Sequence, residues 1–187
     1  MVSSDSEEIG EFAVLHGCPW RRRPAELCAD DTPMFNVVED VLSSQLDAFG
    51  TVVMIYPCSP LAEARDVSEG LHQVRELSHH VAYPVYKSHD TPERSLIMDK
   101  GNIVPRYPEF KDTNSNEFTQ SYHSAGQWYV ADVAWLRTYR TFTPYEAGPV
   151  VIPSHRALDI DTPEDWAIAE TMYSRLHGQQ EQVDANE

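Results

Sequence analysis

Residues 51–60, TVVMIYPCSP, combine an unbroken apolar and β-branched run with two prolines that stop it. A short run of that composition is the pattern of a strand buried on both faces. Downstream, Val67, Leu71, Val74 and Leu77 repeat at helical spacing, and Asp66 with Glu69 supplies a capping pattern for that helix. Strand, proline loop and amphipathic helix in βα order restrict the chain to folds in which helices cover a sheet. QWYVADVAWL and GPVVIPS resume the strand pattern, so the expected fold is an α/β three-layer sandwich with a mostly parallel, Rossmann-like sheet. Ligands in such sheets gather at the carboxyl ends of the strands, which points to the residues just after VVMIYP and VVIPS.

The flanking segments complete this outline. In SSDSEEIGEFAVLHG, Asp5 and Glu8 form a capping-box variant, Ile9, Phe12, Ala13 and His16 share a helical face, and Gly17 ends the helix. CPWRRRPAELCADDTP reads as an irregular loop. Thr32 and Pro33 then serve as N-cap and N1 of a helix that turns Val37, Val38, Val41 and Leu42 inward. HHVAYPVY, SLIMD and NIVPR are short strand-like pieces, read as an inserted β-rich arm over about 84–122. A last helix is expected from about Asp165 to Leu176, followed by a polar, frayed tail over 178–187. At 187 residues the chain is expected to form one domain over 1–177.

A formal net charge of −16 excludes a nucleic-acid or anionic-membrane partner, since phosphate backbones are recognised by clustered lysine and arginine. No apolar run approaches the length of a membrane span and the first residues lack a signal-peptide pattern, so a cytoplasmic protein is expected. Three cysteines without metal spacing imply neither a disulfide framework nor a zinc site. Any site for a small anion must be local, and its candidate cations are Arg21, Arg22, Arg23, Arg94, Arg106 and Arg156. On charge alone, a solvated loop is the favoured reading of the run of three arginines.

The chemistry concentrates in RALDIDTPEDWAIAE, residues 156–170. Alternation along an extended segment puts Asp159 and Asp161 on one side and Ile160 on the other. Two converging carboxylates suit Mg²⁺, a hard cation that fills its octahedron with water and phosphate oxygens. Helix capping competes with this reading: Thr162 as N-cap, Pro163 at N1, and Glu164 and Asp165 in the first turn. Capping explains Thr162 to Asp165 and leaves Asp159 unexplained.

Taken together, several segments resemble the N-acylneuraminate cytidylyltransferase family, and its pseudaminic acid branch most of all. RALDIDTPEDW is similar to the family's D-I-D-T-x-E-D run, SYHSAGQWYVA to Y-H-D-A-G-Q-F-Y, and VVMIYPCSPL to a strand and loop ending in P-T-S-P-L. SSDSEEI and RRRPAELCADDTP resemble S-T-D-S-E-E-I and R-P-x-E-L-A-x-D-x-T-P. The resemblance implies a nucleotide-diphospho-sugar transferase fold with a dimerisation arm. It also implies attack of a nine-carbon acidic sugar on the α-phosphate of CTP, with Mg²⁺ as cofactor. Carried onto this chain, Asp159 and Asp161 are the expected catalytic metal ligands. Gln127, Trp128, Tyr129, Arg94, Arg23 and Ser59 are the expected substrate-binding residues, although Trp128 and Tyr129 fit core packing as readily.

The family also opens with a strand and a glycine-rich loop of the A-R-G-G-S-K-R-I-x-x-K-N kind, which this sequence does not contain. The implied outcome is an N-terminally truncated chain with weakened CTP binding and two strands left with unpaired edges. A second copy or a partner chain would then complete the sheet. Ser124 stands in place of an aspartate, and DTNSNEF, residues 112–118, in place of a T-R-S-Q-D-L segment. Two other readings stay open on the residues alone. One is a non-catalytic assembly module, and the other is a different sugar nucleotidyltransferase of the CMP-Kdo synthetase or sugar-phosphate guanylyltransferase kind.

Overall fold

The computed structural model describes residues 1–44 and 49–177. The tail expected over 178–187 lies outside the described residues. The main sheet takes β3 (Thr51–Ile55), β4 (Val81–Lys87), β7 (Tyr122–Ser124), β8 (Trp128–Asp132) and β9 (Gly148–Val151), after a small parallel pair of β1 (Val2–Ser4) and β2 (Trp20–Arg22). Across the main sheet β3 pairs antiparallel with β8, β8 pairs antiparallel with β4, and β4 pairs parallel with β9. β3, β4 and β9 therefore run the same way while β7 and β8 run against them, so the sheet is mixed rather than mostly parallel, with one parallel ladder against three antiparallel ones among the described residues. β7 continues along the same edge of β4 as β8, with the left-handed Gly126 (φ 65°) at the bend between the two. Glycine takes that conformation without a side-chain penalty.

Two helical layers sandwich this sheet, and the alternation of the strands divides the core between them. On one side, Phe35, Val38 and Leu42 of α2 (Met34–Ser43) and Val133 and Leu136 of α4 (Val133–Tyr139) pack on Val81, Ala131 and Phe142. On the other, Val67, Leu71 and Val74 of α3 (Ala64–Arg75) pack on Trp128, Val130, Val150 and Ile152. α3 approaches β8 so closely that a Cβ on Gly70 would lie 2.6 Å from the Trp128 ring. Helix and strand can meet there only through a glycine.

Several sequence expectations are corrected by non-local packing. β3 is half-buried rather than buried on both faces, Ile55 is 57% exposed, and no strand among the described residues pairs with the edge of β3 away from β8. The outer edge of β1 is likewise unpaired among the described residues. HHVAYPVY is a central strand, and the arm proper is the stretch between β4 and β7. That stretch carries the hairpin of β5 (Leu96–Asp99) and β6 (Asn102–Pro105). The supposed loop CPWRRRP contains β2, whose Arg21 clamps Asp40 of α2 with two bonds of 2.7 and 2.8 Å. That guanidinium holds the Asp40 carboxyl below its ordinary range.

α1 (Glu7–Leu15) is capped by Ser6 rather than Asp5, and it buries Gly10 and Ala13 while Ile9 and Phe12 stay exposed. The reason is Trp20, whose ring lies where a Cβ on Gly10 would be. α2 is preceded by Pro33 as cap, one residue later than expected, and Val41 is half-buried. Glu63, not Asp66, is the N-cap position of α3, and Leu77 lies beyond its end, 51% exposed. The final helix α5 (Pro163–His177) begins as expected. Thr162 Oγ1 accepts from the Asp165 amide at 3.2 Å, and Asp165 Oδ2 accepts from the Thr162 amide at 2.8 Å. All three cysteines are free, and no helix among the described residues is long and apolar enough to cross a membrane.

Candidate functional site

The carboxyl end of β3 is where the chain gathers its unusual side chains. Tyr56 donates its backbone N–H to the Gln127 carbonyl at 2.9 Å, so the loop after β3 lies against the bend between β7 and β8. The Ser59 hydroxyl, 6% exposed, reaches the Gly126 carbonyl at 3.5 Å. Ile160 donates its N–H to the Cys58 carbonyl at 3.1 Å, which brings the segment after β9 to the same place. A Cβ on Gly126 would sit 3.4 Å from Asp159 Oδ2, so the bend and the first aspartate are in near contact. Three segments remote in sequence thus converge on Asp159.

Electrostatics at this point favour a cation. The Cys58 thiol is pushed up by burial first and then by the Asp159 carboxylate it faces. The Tyr56 phenol is raised by burial, then by Tyr129, Cys58 and Asp159. Both neighbours are thereby kept neutral beside a carboxylate, and neither Asp159 nor Asp161 joins an ion pair among the described residues. The segment 157–161 is not a strand, so strand alternation does not apply to it; among its residues Ile160 is half-buried. Its side chain lines an apolar groove with Pro60, Trp166 and Ala169, while Asp159 and Asp161 are exposed. No group of three or more acidic, histidine or cysteine side chains placed to hold a metal occurs among the described residues. Two exposed carboxylates fit Mg²⁺, which keeps most of its shell for water and phosphate, and would not fit a dehydrated all-protein site.

The remaining expected site residues divide. Gln127 is fully buried. Its Nε2 donates to the Arg156 carbonyl at 2.5 Å, and its Oε1 has no partner among the described residues. Trp128 is also fully buried and belongs to the core beneath α3, because β alternation turns it to the face opposite Tyr129. Neither offers surface to a ligand in this conformation, and core packing is the correct reading of Trp128. Tyr129 lines a cavity of about 240 Å³ with Tyr56, Phe35, Phe142 and Arg140. Arg23 is held by Ser3, with bonds of 3.3 Å to its hydroxyl and 2.8 Å to its carbonyl, and is committed to the β1–β2 pair rather than to this site. Arg94 lies on the arm, and no contact among the described residues joins it to Asp159.

Sequence reasoning missed the support beneath the site. Arg156, 3% exposed, donates to both Asp66 oxygens at 2.5 and 3.4 Å and lies 3.2 Å from Glu63. This buried ion pair fixes the start of the segment that carries Asp159 and Asp161. Asp66 read as a capping acid because its partner lies 90 residues away. The glycine in SAGQ was the one local signal of the bend.

Strand order, two covering helical layers and a site at the strand ends define a nucleotide-diphospho-sugar transferase fold. A solved CMP:2-keto-3-deoxy-manno-octonic acid synthetase, determined with CTP, shares it with a TM-score of 0.58 at 12% identity, over 96% of this chain and 80% of that one. No protein-family model matches the chain. The CMP-N,N'-diacetyllegionaminic acid synthase of Legionella pneumophila is 28% identical over 182 residues, which span 92% of this chain and 76% of that protein. The N-acylneuraminate cytidylyltransferase of Escherichia coli O18:K1:H7 is 23% identical over 96% of this chain, which spans 43% of its length. The chain is thus similar in sequence to sialic-acid-type cytidylyltransferases and shares the fold of a CMP-sugar synthetase.

Proposed function

We propose that the chain transfers the cytidylyl group of CTP to a nine-carbon acidic sugar of the sialic or pseudaminic type. The observation that carries this reading is the convergence of Ser59, Gly126 and Asp159 at the carboxyl end of β3 in a chain with two CMP-sugar synthase relatives. In the reaction the anomeric oxygen of the sugar forms a bond to the α-phosphorus, and the α–β phosphoanhydride bond breaks. Pyrophosphate leaves with the electron pair, and the hydroxyl proton passes to solvent. Asp159 and Asp161 are the residues that would hold Mg²⁺. The ion, when bound, offsets the charge of the triphosphate and of the leaving pyrophosphate.

The chain's own residues prepare that arrangement. The neutral Cys58 thiol and Tyr56 phenol add no charge beside Asp159, and the Arg156–Asp66 pair keeps the aspartate segment in place. Arg94 would meet the sugar carboxylate in bidentate fashion. A cytoplasmic setting suits a reaction that consumes CTP and a protein whose three cysteines are free. The relatives favour this transferase reading over the assembly module.

If the pair holds the metal, Asp159→Asn and Asp161→Asn should each weaken Mg²⁺-dependent CTP binding by roughly ten-fold or more, since each removes a charged ligand. Calorimetric titration of CTP with and without Mg²⁺ checks this. Unchanged Mg²⁺ dependence in both variants would remove the aspartates from the mechanism.

We also propose that the arm pairs with a second copy of the chain. Leu96, Ile97, Met98 and Ile103 of the β5–β6 hairpin are 61, 43, 75 and 59% exposed, and a two-stranded ribbon with that surface is marginal alone. Light scattering should then give about twice the monomer mass of 21.2 kDa. Ile97→Lys together with Ile103→Lys should return it to the monomer value.

A further inference from the structure

Two apolar surfaces stay open at one end of the sheet. β3, β4 and β9 run the same way, so the arm, which leaves β4 after Lys87, starts from the same carboxyl end as the segment leading from β9 to α5. The first surface is one face of the β5–β6 hairpin. Its register sets Met98 opposite Ile103 and Leu96 opposite Pro105, so alternation gathers these four on one side and turns Ile97 and Val104 to the other. The second surface is the groove of about 590 Å³ lined by Pro60, Ile160, Trp166, Ala169 and Tyr173.

α5 forms the wall of this groove because it carries two stripes. Ala169 is buried and Asp165, Met172 and Leu176 are half-buried, at the spacing of one inward helical face. Trp166 and Tyr173 stand two turns apart on a second face that stays exposed, with Glu170 between them. Large aromatic rings over a concave apolar surface are what the centre of a protein interface contains.

The chain's own hairpin does not fill the groove, whose lining holds no arm residue. The base of the arm is tied down instead: the Ser88 amide donates to the Ser121 carbonyl at 3.0 Å, and His89 Nε2 lies 3.1 Å from Ser154 Oγ. Charge selects the occupant. Residues 84–122 hold five cations against six acids, whereas the rest of the chain holds nine against twenty-four. Two copies of so acidic a protein repel each other over most of their surface, and the arm is the part that a second copy can accept. At the hairpin tip Lys100, in a left-handed turn (φ 48°), is exposed, as is Glu170 on the groove, and neither joins an ion pair among the described residues.

We infer that the hairpin of one copy seats Leu96, Met98 and Ile103 in the α5 groove of a second copy, with Lys100 beside Glu170. A two-fold axis then repeats the contact in return, so each copy gives an arm and receives one. The inference rests on the pairing of copies through the arm proposed above, and it adds the surface that receives the arm.

Light scattering of the full chain over a concentration series tests it. Trp166→Glu and Met98→Glu should each raise the dimer dissociation constant roughly ten-fold or more. Phe12→Glu, on the exposed face of α1, should leave it unchanged. All three residues are exposed, so circular dichroism of the variants should match that of the parent. A crosslink separates this contact from arm-to-arm pairing. With Cys18 replaced by serine, a Met98→Cys chain and a Ser174→Cys chain mixed under mild oxidation should form a covalent dimer that neither forms alone, since Ser174 lines the groove. A dimer that is insensitive to Trp166→Glu, or that crosslinks through Met98→Cys alone, would overturn the inference and leave arm pairing in place. A parent chain that is monomeric throughout would overturn both.

Discussion

Replacing Arg156 with methionine should destabilise the protein by about 3–5 kcal/mol, the usual consequence of removing one member of a buried ion pair. Methionine fills much of the arginine's volume, so the loss comes from charge and not from a cavity. Asp66, itself 9% exposed, would be left ionised in the interior with its two bonds from Arg156 gone, and Glu63 would lose its contact at 3.2 Å. Urea unfolding followed by circular dichroism measures this directly. Changing Asp66 to leucine in the same chain should recover much of the loss, because an apolar pair carries no desolvation cost. Arg156→Met should also weaken Mg²⁺-dependent CTP binding, since the Arg156 side chain ties the start of the aspartate segment to Asp66 of α3. A variant with Arg156→Met that unfolds like the parent would show that the pair is solvated and structurally unimportant.

Trp128→Ala should cost a similar amount, about 3–5 kcal/mol, through the cavity left when a fully buried indole is removed. The ring fills the space between β8 and α3 that only Gly70 leaves open. Trp128→Phe separates packing from polarity. The indole Nε1 is buried without a partner among the described residues, so phenylalanine removes an unsatisfied donor as well as some volume. It should therefore cost far less than alanine in urea unfolding. Equal losses for the two variants would mean that the indole N–H makes a bond essential to the fold.

These two residues also show what was legible in the sequence. The helix of residues 163–177 could be read from Thr162, Pro163 and Asp165 alone, because capping is decided within four residues. The inward face of α2 was nearly right for a similar reason, with Val37, Val38 and Leu42 repeating at helical spacing. Trp128 could not be assigned between pocket and core until β8 was placed under α3. Asp66 looked like a cap because its charge partner is remote, and β3 looked buried on both faces because strand composition does not report which neighbours a strand will have. The aspartate pair stood out in the sequence through its spacing and through resemblance, and its role as a metal site is the proposal made above. What gathers round it, Cys58, Ser59 and Gly126, depends on loop contacts between segments more than sixty residues apart. Arg94 and Arg106 were separate candidate cations in the sequence, and the hairpin ladder brings them to one end of the arm.

Cytidylyl transfer from CTP to an acidic sugar by this chain would release pyrophosphate, which can be measured. The folded chain should be incubated with Mg²⁺, CTP or GTP, and pseudaminic, legionaminic or N-acetylneuraminic acid. Pyrophosphate should appear only with CTP and an acidic sugar together, and should disappear with Asp159→Asn. A folded chain that releases no pyrophosphate from any of these pairs, and binds no CTP in the presence of Mg²⁺, would contradict the proposed transfer.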